Sequence, residues 1–194
     1  MKRRSVIGAA AIGIGLVAGL GSAHLVLAKE ATKAEKQAAI RKEAQTTLAK
    51  LYKINPGSRS TIQKAAGYAA FDNFGMNLFL LSTARGKGIA VVNAGKKETF
   101  MKMISVGAGL GLGVKDFRLV FVFETPQALD SFINSGWDAD AQAGATAKAN
   151  QKGGAFEGAI SVSPGVWVYQ LTETGLALEA TLQGTKYYKD DDLN

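Results

Sequence analysis

Leu119-Val120-Phe121-Val122-Phe123 places five large apolar side chains in a row. Successive side chains of an extended strand leave opposite faces, so this segment is hydrophobic on both. Such a strand is stable only in the middle of a sheet, covered above and below. Arg118–Glu124 is therefore expected to be a central, fully buried strand. Thr125-Pro126 follows at once, with Thr suited to cap a helix and Pro suited to its first position. That helix carries Ala128, Leu129, Phe132 and Ile133 and should end near Ser135-Gly136.

Upstream, Glu30 to Lys53 is rich in Ala, Lys, Glu and Gln and free of Gly and Pro. Ile40, Ala44, Leu48 and Leu51 recur at helical spacing along it. Asn55-Pro56-Gly57 stops this helix, and Ser58 or Ser60 is placed to cap a second, short one through about Ala66. The texture then turns to β. Strands are expected near Gly67–Phe74, Met76–Ala84, Gly88–Asn93 and Glu98–Val106, with Arg85-Gly86-Lys87 and Asn93-Ala94-Gly95-Lys96 as turns. Trp137–Ala149 alternates alanine with polar residues, a strand pattern with one small face. Ala155–Ser163, Val166–Glu173 and Leu176–Gln183 read as a meander joined by Pro164-Gly165 and Thr174-Gly175. Asp190-Asp191-Asp192 reads as a frayed acidic tail. The sum is an α+β domain: a strongly bent antiparallel β-sheet or barrel with two N-terminal helices and one inserted helix. Residues 29–64 form its basic helical region and residues 65–194 its β-rich body.

Residues 1–28 have the form of a signal peptide. Lys2-Arg3-Arg4 is a positive start, Ser5 to Gly21 is uncharged and apolar, and Val26-Leu27-Ala28 offers a cleavage site. Arg3-Arg4-Ser5-Val6-Ile7 also fits a twin-arginine pattern. The alternative is an uncleaved anchor over Ser5 to Ala28, which would hold the protein in the inner membrane. Export to the periplasm or envelope is the expectation.

The chain has no cysteine and one histidine, His24, which lies within that leader. Thiolate nucleophiles, disulfides and cysteine metal sites are thereby excluded. Carboxylates remain as acid/base candidates, but Glu124, Asp138, Asp140, Glu157, Glu173 and Glu179 all fit solvated strand faces. Gly107 to Gly113 repeats glycine at every second residue and runs into a strand, whereas a dinucleotide loop opens a helix. The reading is a non-enzymatic protein with no cofactor and no metal.

Charge is the informative signal. The formal net charge of +7 is concentrated: residues 29–64 carry +6 and residues 65–194 carry −2. Lys33, Lys36, Arg41, Lys42, Lys50 and Lys53, together with Lys29, flank a narrow apolar stripe, as in helices that lie on anionic membranes. The competing reading packs Ile40, Leu48 and Leu51 on the β body and leaves an ordinary charged outer face. Nucleic acid is disfavoured, because the aromatic-rich part is slightly acidic.

Several motifs in order resemble the SYLF domain family, in particular its bacterial exported branch. They are Leu51-Tyr52 with Pro56-Gly57-Ser58-Arg59, Ala66-Gly67-Tyr68-Ala69-Ala70-Phe71, Gly86-Lys87-Gly88 and Gly109-Leu110-Gly111-Leu112-Gly113. Leu119–Phe123 with Ala128-Leu129-Asp130-Ser131-Phe132, Gly175-Leu176 and Leu182-Gln183-Gly184 complete the series. The chain departs from the family pattern at Asp72, at Asn77-Leu78-Phe79-Leu80-Leu81 and at Gly111. The resemblance implies a lipid-binding domain with anionic phospholipid or phosphoinositide ligands, without catalysis or cofactor. Some eukaryotic relatives also bind actin, a partner that an exported chain is not expected to meet. The alternative is a structural or protein-interaction module of the envelope.

Overall fold

The computed structural model describes residues 31–78, 81–106, 116–139, 156–172, 175–177, 182 and 184–194. Among the described residues three helices, α1 (Lys33–Ile54), α2 (Gly57–Lys64) and α3 (Pro126–Asn134), accompany nine strands. The strands are β1 (Gly67–Leu78), β2 (Leu81–Val92), β3 (Glu98–Val106), β4 (Asp116–Phe123), β5 (Trp137–Asp138), β6 (Ile160–Ser163), β7 (Val166–Leu171), β8 (Leu176–Ala177) and β9 (Thr185–Lys189). All belong to one antiparallel sheet ordered β5-β9-β3-β2-β1-β4-β7-β6, with β8 on the far side of part of β7. The sheet curls into a half-barrel, so the α+β expectation holds.

β4 lies between β1 and β7 and is covered on both faces, as its sequence demands. Leu119, Phe121 and Phe123 enter a core shared with Leu129 and Phe132 of α3, Phe71 of β1 and Tyr187 of β9. Val120 and Val122 enter a second core with Ile40, Leu48 and Leu51 of α1 and Ile62 of α2. The first core is aromatic: the Phe121 ring lies 5.1 Å from Phe132 and 4.8 Å from Tyr187, centroid to centroid. α3 begins as expected, with the Thr125 hydroxyl accepting from the Ala128 N–H at 3.2 Å and Pro126 in its first turn.

α1 opens with a capping box that joins Thr32 and Glu35. α2 differs from expectation at its start. Pro56 occupies the cap position and the Asn55 side chain, rather than a serine, accepts the Ser58 N–H at 3.2 Å.

Two expectations need correction. β1 and β2 are single strands of 12 residues each, paired from Gly67↔Val92 to Leu78↔Leu81. Arg85-Gly86-Lys87 is thus the middle of β2, not a turn. The glycine at position 88 is there for a close approach: a methyl group would collide with the Ala70 carbonyl and the Phe71 ring of the neighbouring strand. Asn93 to Lys96 is a turn as expected, and the Asn93 amide donates to the carbonyls of Ile62 (2.6 Å) and Ala65 (2.9 Å), fastening α2 to it. The meander expectation holds as β6-β7-β8, with Gly165 at φ +72° in the tight turn before β7.

The second correction concerns the end of the chain. Thr185–Lys189 forms β9 beside β3, and the acidic segment after it is docked, not frayed. Asp190 is buried, and its N–H donates to the Phe100 carbonyl at 2.9 Å. The Asn194 side chain both accepts from the Phe100 N–H and donates to its carbonyl, each at 2.9 Å, in the manner of a strand neighbour. Of the alternating alanine segment only the start is described. Trp137 and Asp138 pair with β9, while residues 140–155 and the Gly107–Gly113 repeat lie outside the described residues.

Two substitutions test this packing. Phe121→Ala removes a fully buried ring that touches both α3 and β9, and should cost about 4 kcal/mol in chemical denaturation. The Tyr187 hydroxyl is buried and has no hydrogen-bond partner among the described residues. Tyr187→Phe should therefore stabilise the protein by about 1 kcal/mol, seen as a higher Tm.

A cationic groove beside the first helix

Helical geometry sorts the six basic residues of α1 into two groups. At 100° per residue, the buried stripe of Ile40, Ala44, Thr47, Leu48 and Leu51 points at the sheet. Lys42, Lys50 and Lys53 fall within about 80° of one another on the side away from it. Among the described residues these three lysines form no ion pair, and Lys42 and Lys53 are exposed. Lys33, Lys36 and Arg41 lie on or beside the buried stripe and are used within the protein. Arg41 Nε donates to Glu98 Oε2 at 2.7 Å, and its guanidinium sits 5.0 Å above the Phe100 ring. Lys33 Nζ donates to the Asn194 carbonyl at 2.8 Å, while Lys33 and Lys36 both act on Asp192 through their charge. The sequence grouped six cations; the fold leaves three facing outward.

The internal cations form a clasp with the end of the chain. Lys102 Nζ lies 2.8 Å from Asp190 Oδ1 and 2.9 Å from Asp192 Oδ2. Gln37 Nε2 of α1 donates to the Leu193 carbonyl at 2.7 Å. The start of α1 is thus bound to β3 through residues 190–194. The hydrogen bonds from Lys102 to Asp190 and Asp192 push the lysine above its ordinary value of 10.5. The same lysine holds the Asp192 carboxyl below its ordinary 3.8.

Beside α1 a groove of about 670 Å3 opens over β2, β3 and β9. Ala39, Ile40, Ile104 and Tyr188 give it apolar walls, and Tyr188 is one of the exposed large hydrophobic residues. Arg85, Lys87, Lys102, Asp72 and Glu43 supply its charges. The strand registers align Arg118, Asp72, Lys87, Lys102 and Tyr188 in one row across β4, β1, β2, β3 and β9. Within that row Asp72 Oδ1 is 3.4 Å from Arg118 Nε, and Glu43 Oε2 reaches Arg118 Nη2 at 3.9 Å. The two groove carboxylates therefore converge on one guanidinium. Lys102 is occupied by the clasp. Arg85 and Lys87 are both exposed and have no ion pair among the described residues.

Sequence reasoning missed this groove because Arg85 and Lys87 were assigned to a turn. The signal was available: Arg85 and Lys87 alternate with Gly86 and Gly88, which fits one face of a strand as well as it fits a turn. No helix of the described residues is long and apolar enough to cross a membrane. No group of three or more His, Cys, Asp or Glu among the described residues could hold a metal ion.

The clasp has a measurable pH signature. The Asp192 value is depressed on folding, so its contribution is present above pH 3.8 and lost as the pH falls through the lower folded value. The Lys102 value is raised on folding, so its contribution is present below pH 10.5 and lost above it. Lys102→Gln leaves Asp190 buried without its cation and should cost about 2 kcal/mol at neutral pH. It should also flatten the acid limb of a Tm-against-pH curve relative to the unaltered protein.

Comparison with known proteins agrees with the motif order. Residues 104–194 match the Ysc84 (SYLF) family model, described as Las17-binding protein actin regulator. A relative from Aeromonas veronii, named Beta cell expansion factor A, is 35% identical over 162 residues, or 84% of this chain. The chain spans 60% of that relative's length. From the end of β3 through the clasp the chain is thus similar to the SYLF family, and most of its length is similar to this relative.

Proposed function

We propose that the protein binds anionic phospholipid at a membrane surface of the cell envelope and carries out no chemistry of its own. The observation that carries this reading is the outward group Lys42, Lys50 and Lys53 on a helix whose apolar stripe is already spent on the sheet. Such a helix offers charge to a surface without offering a hydrophobic face for deep insertion. Each basic residue near an anionic leaflet contributes about 1 kcal/mol, so three together give a modest, reversible and salt-sensitive attraction. The family supports the same direction, since it is a family of binding and regulatory domains. Export, expected from residues 1–28, would place this surface against an envelope leaflet. The actin link in the family description has no counterpart that this reading needs.

The unaltered protein should co-float with anionic vesicles and not with neutral ones, and flotation should fall as salt shortens the screening length from about 30 Å at 0.01 M to about 8 Å at 0.15 M. Reversal of charge at Lys42, Lys50 and Lys53 should weaken flotation markedly while leaving Tm within a degree or two. The same reversal at Lys36 and Arg41 should instead lower Tm, because those cations serve internal contacts. Equal flotation with neutral and anionic vesicles would defeat the electrostatic reading.

A further inference from the structure

We infer that the groove beside α1 is a headgroup site for a lipid carrying a phosphate monoester, with Arg85 and Lys87 of β2 as its anion clamp. This deepens the membrane-surface reading and rests on it. Three observations converge on the groove. The first is the charge row across the sheet. Directly opposed residues on neighbouring strands are in contact, and like charges placed so repel. Lys87 of β2 stands directly opposite Lys102 of β3, with both on the α1 side of the sheet. Lys102 is neutralised by Asp190 and Asp192, yet Lys87 has no ion pair among the described residues and Arg85 adds a second cation two residues along the same face.

The second observation is where the local anions point. Asp72 stands opposite Lys87 in the register, but its carboxylate also borders Arg118 at 3.4 Å, and Glu43 leans on the same guanidinium at 3.9 Å. Both acids of the groove thus border Arg118, whereas Lys87, which stands between Asp72 and Lys102, and Arg85, two residues along β2, form no ion pair among the described residues. An anion seated there would be shared by a planar guanidinium, which binds phosphate oxygens in pairs, and an ammonium, which acts as a point charge.

The third is the apolar side of the groove. Ile40, Ile104 and Tyr188 lie within the same 670 Å3 as the cations. A site for free phosphate has no need of an apolar wall, whereas a lipid presents glycerol and the first methylenes of its chains directly below the phosphate. A monoester is preferred to a diester because it carries up to two negative charges and three terminal oxygens for two cations. A diester offers one charge and two such oxygens.

The test uses the full chain and two sets of vesicles, one with phosphatidic acid and one with phosphatidylglycerol, adjusted to the same zeta potential. The unaltered protein should bind the phosphatidic acid vesicles about tenfold more tightly, as one additional charge-assisted contact predicts. The double variant Arg85→Gln, Lys87→Gln should lose that preference while keeping salt-dependent binding to both sets. Circular dichroism melting of the variant checks that the exposed substitutions leave the fold intact. Absence of a preference in the unaltered protein, or its survival in the variant, overturns the assignment. A third arm titrates inorganic phosphate: binding as tight as that of the lipid would also overturn it in favour of a soluble ligand. Charge reversal of Lys42, Lys50 and Lys53 separates this inference from the general one. It should weaken binding to both vesicle types and leave the ratio between them unchanged.

Discussion

β4 is the constraint on which the rest of this structure depends. A strand with Leu119, Phe121 and Phe123 on one face and Val120 and Val122 on the other cannot lie at an edge or face water on either side. Each face needs its own cover, and the chain supplies the two from opposite directions. The large rings are met by α3, which follows β4 after a two-residue connection, together with β9 curling round from the other end of the sheet. The branched residues are met by α1 and α2, which precede the sheet. Ring size helps to decide the partner: three aromatic or long side chains fill the concave interior of a half-barrel, whereas two valines suit the close approach of a helix.

That division fixes the orientation of α1, and with it the electrostatics. A helix has one apolar stripe, and once Ile40, Leu48 and Leu51 are committed to the sheet its lysines can no longer move as a group. Those next to the stripe find anions on β3 and at the end of the chain. Those opposite it remain outward. The clasp of Lys102, Asp190, Asp192 and Asn194 secures this arrangement by tying the start of α1 to the strand beneath it. An amphipathic helix that rests on its own domain and one that rests on a membrane use the same face, so the packed state decides which charges remain available.

Much of the fold was legible from local signals. β4 followed from five adjacent residues, α3 from Thr125-Pro126, and α1 from spacing together with the absence of glycine and proline. The errors share a cause. Arg85-Gly86-Lys87 reads as a break because glycine is permissive in turns, whereas the strand runs on through it, and Gly88 beside it admits the Phe71 ring, a contact with a residue 17 positions away. The acidic tail was read as solvated because three adjacent aspartates repel in isolation. Its docking depends on Lys102, which is distant in sequence and recognisable only when β9 is laid beside β3. Single-element periodicity carries no information on either pairing. The fold likewise divides the six cations of α1 into three with partners inside the protein and three that face outward, and it sets Arg85 and Lys87 on one face of β2.

The charged row across the sheet shows how a fold can reserve a site without buried catalytic groups. Beyond the reach of α1 the sheet face must be polar, and a sheet built for stability alone would alternate its charges from strand to strand. Arg118 and Asp72 begin such an alternation, and Lys87 continues it. Lys102 then breaks it, and the chain answers the break by bringing two aspartates from its last residues to Lys102 alone. That solution leaves Lys87 facing an already satisfied neighbour, with Arg85 beside it and an apolar wall across the groove. The cost of holding two such cations at the surface is small, because water solvates both, and it is recovered when an anion enters. A clasp that relieves one lysine therefore does two things at once: it anchors α1, and it leaves the adjacent Arg85 and Lys87 exposed on β2.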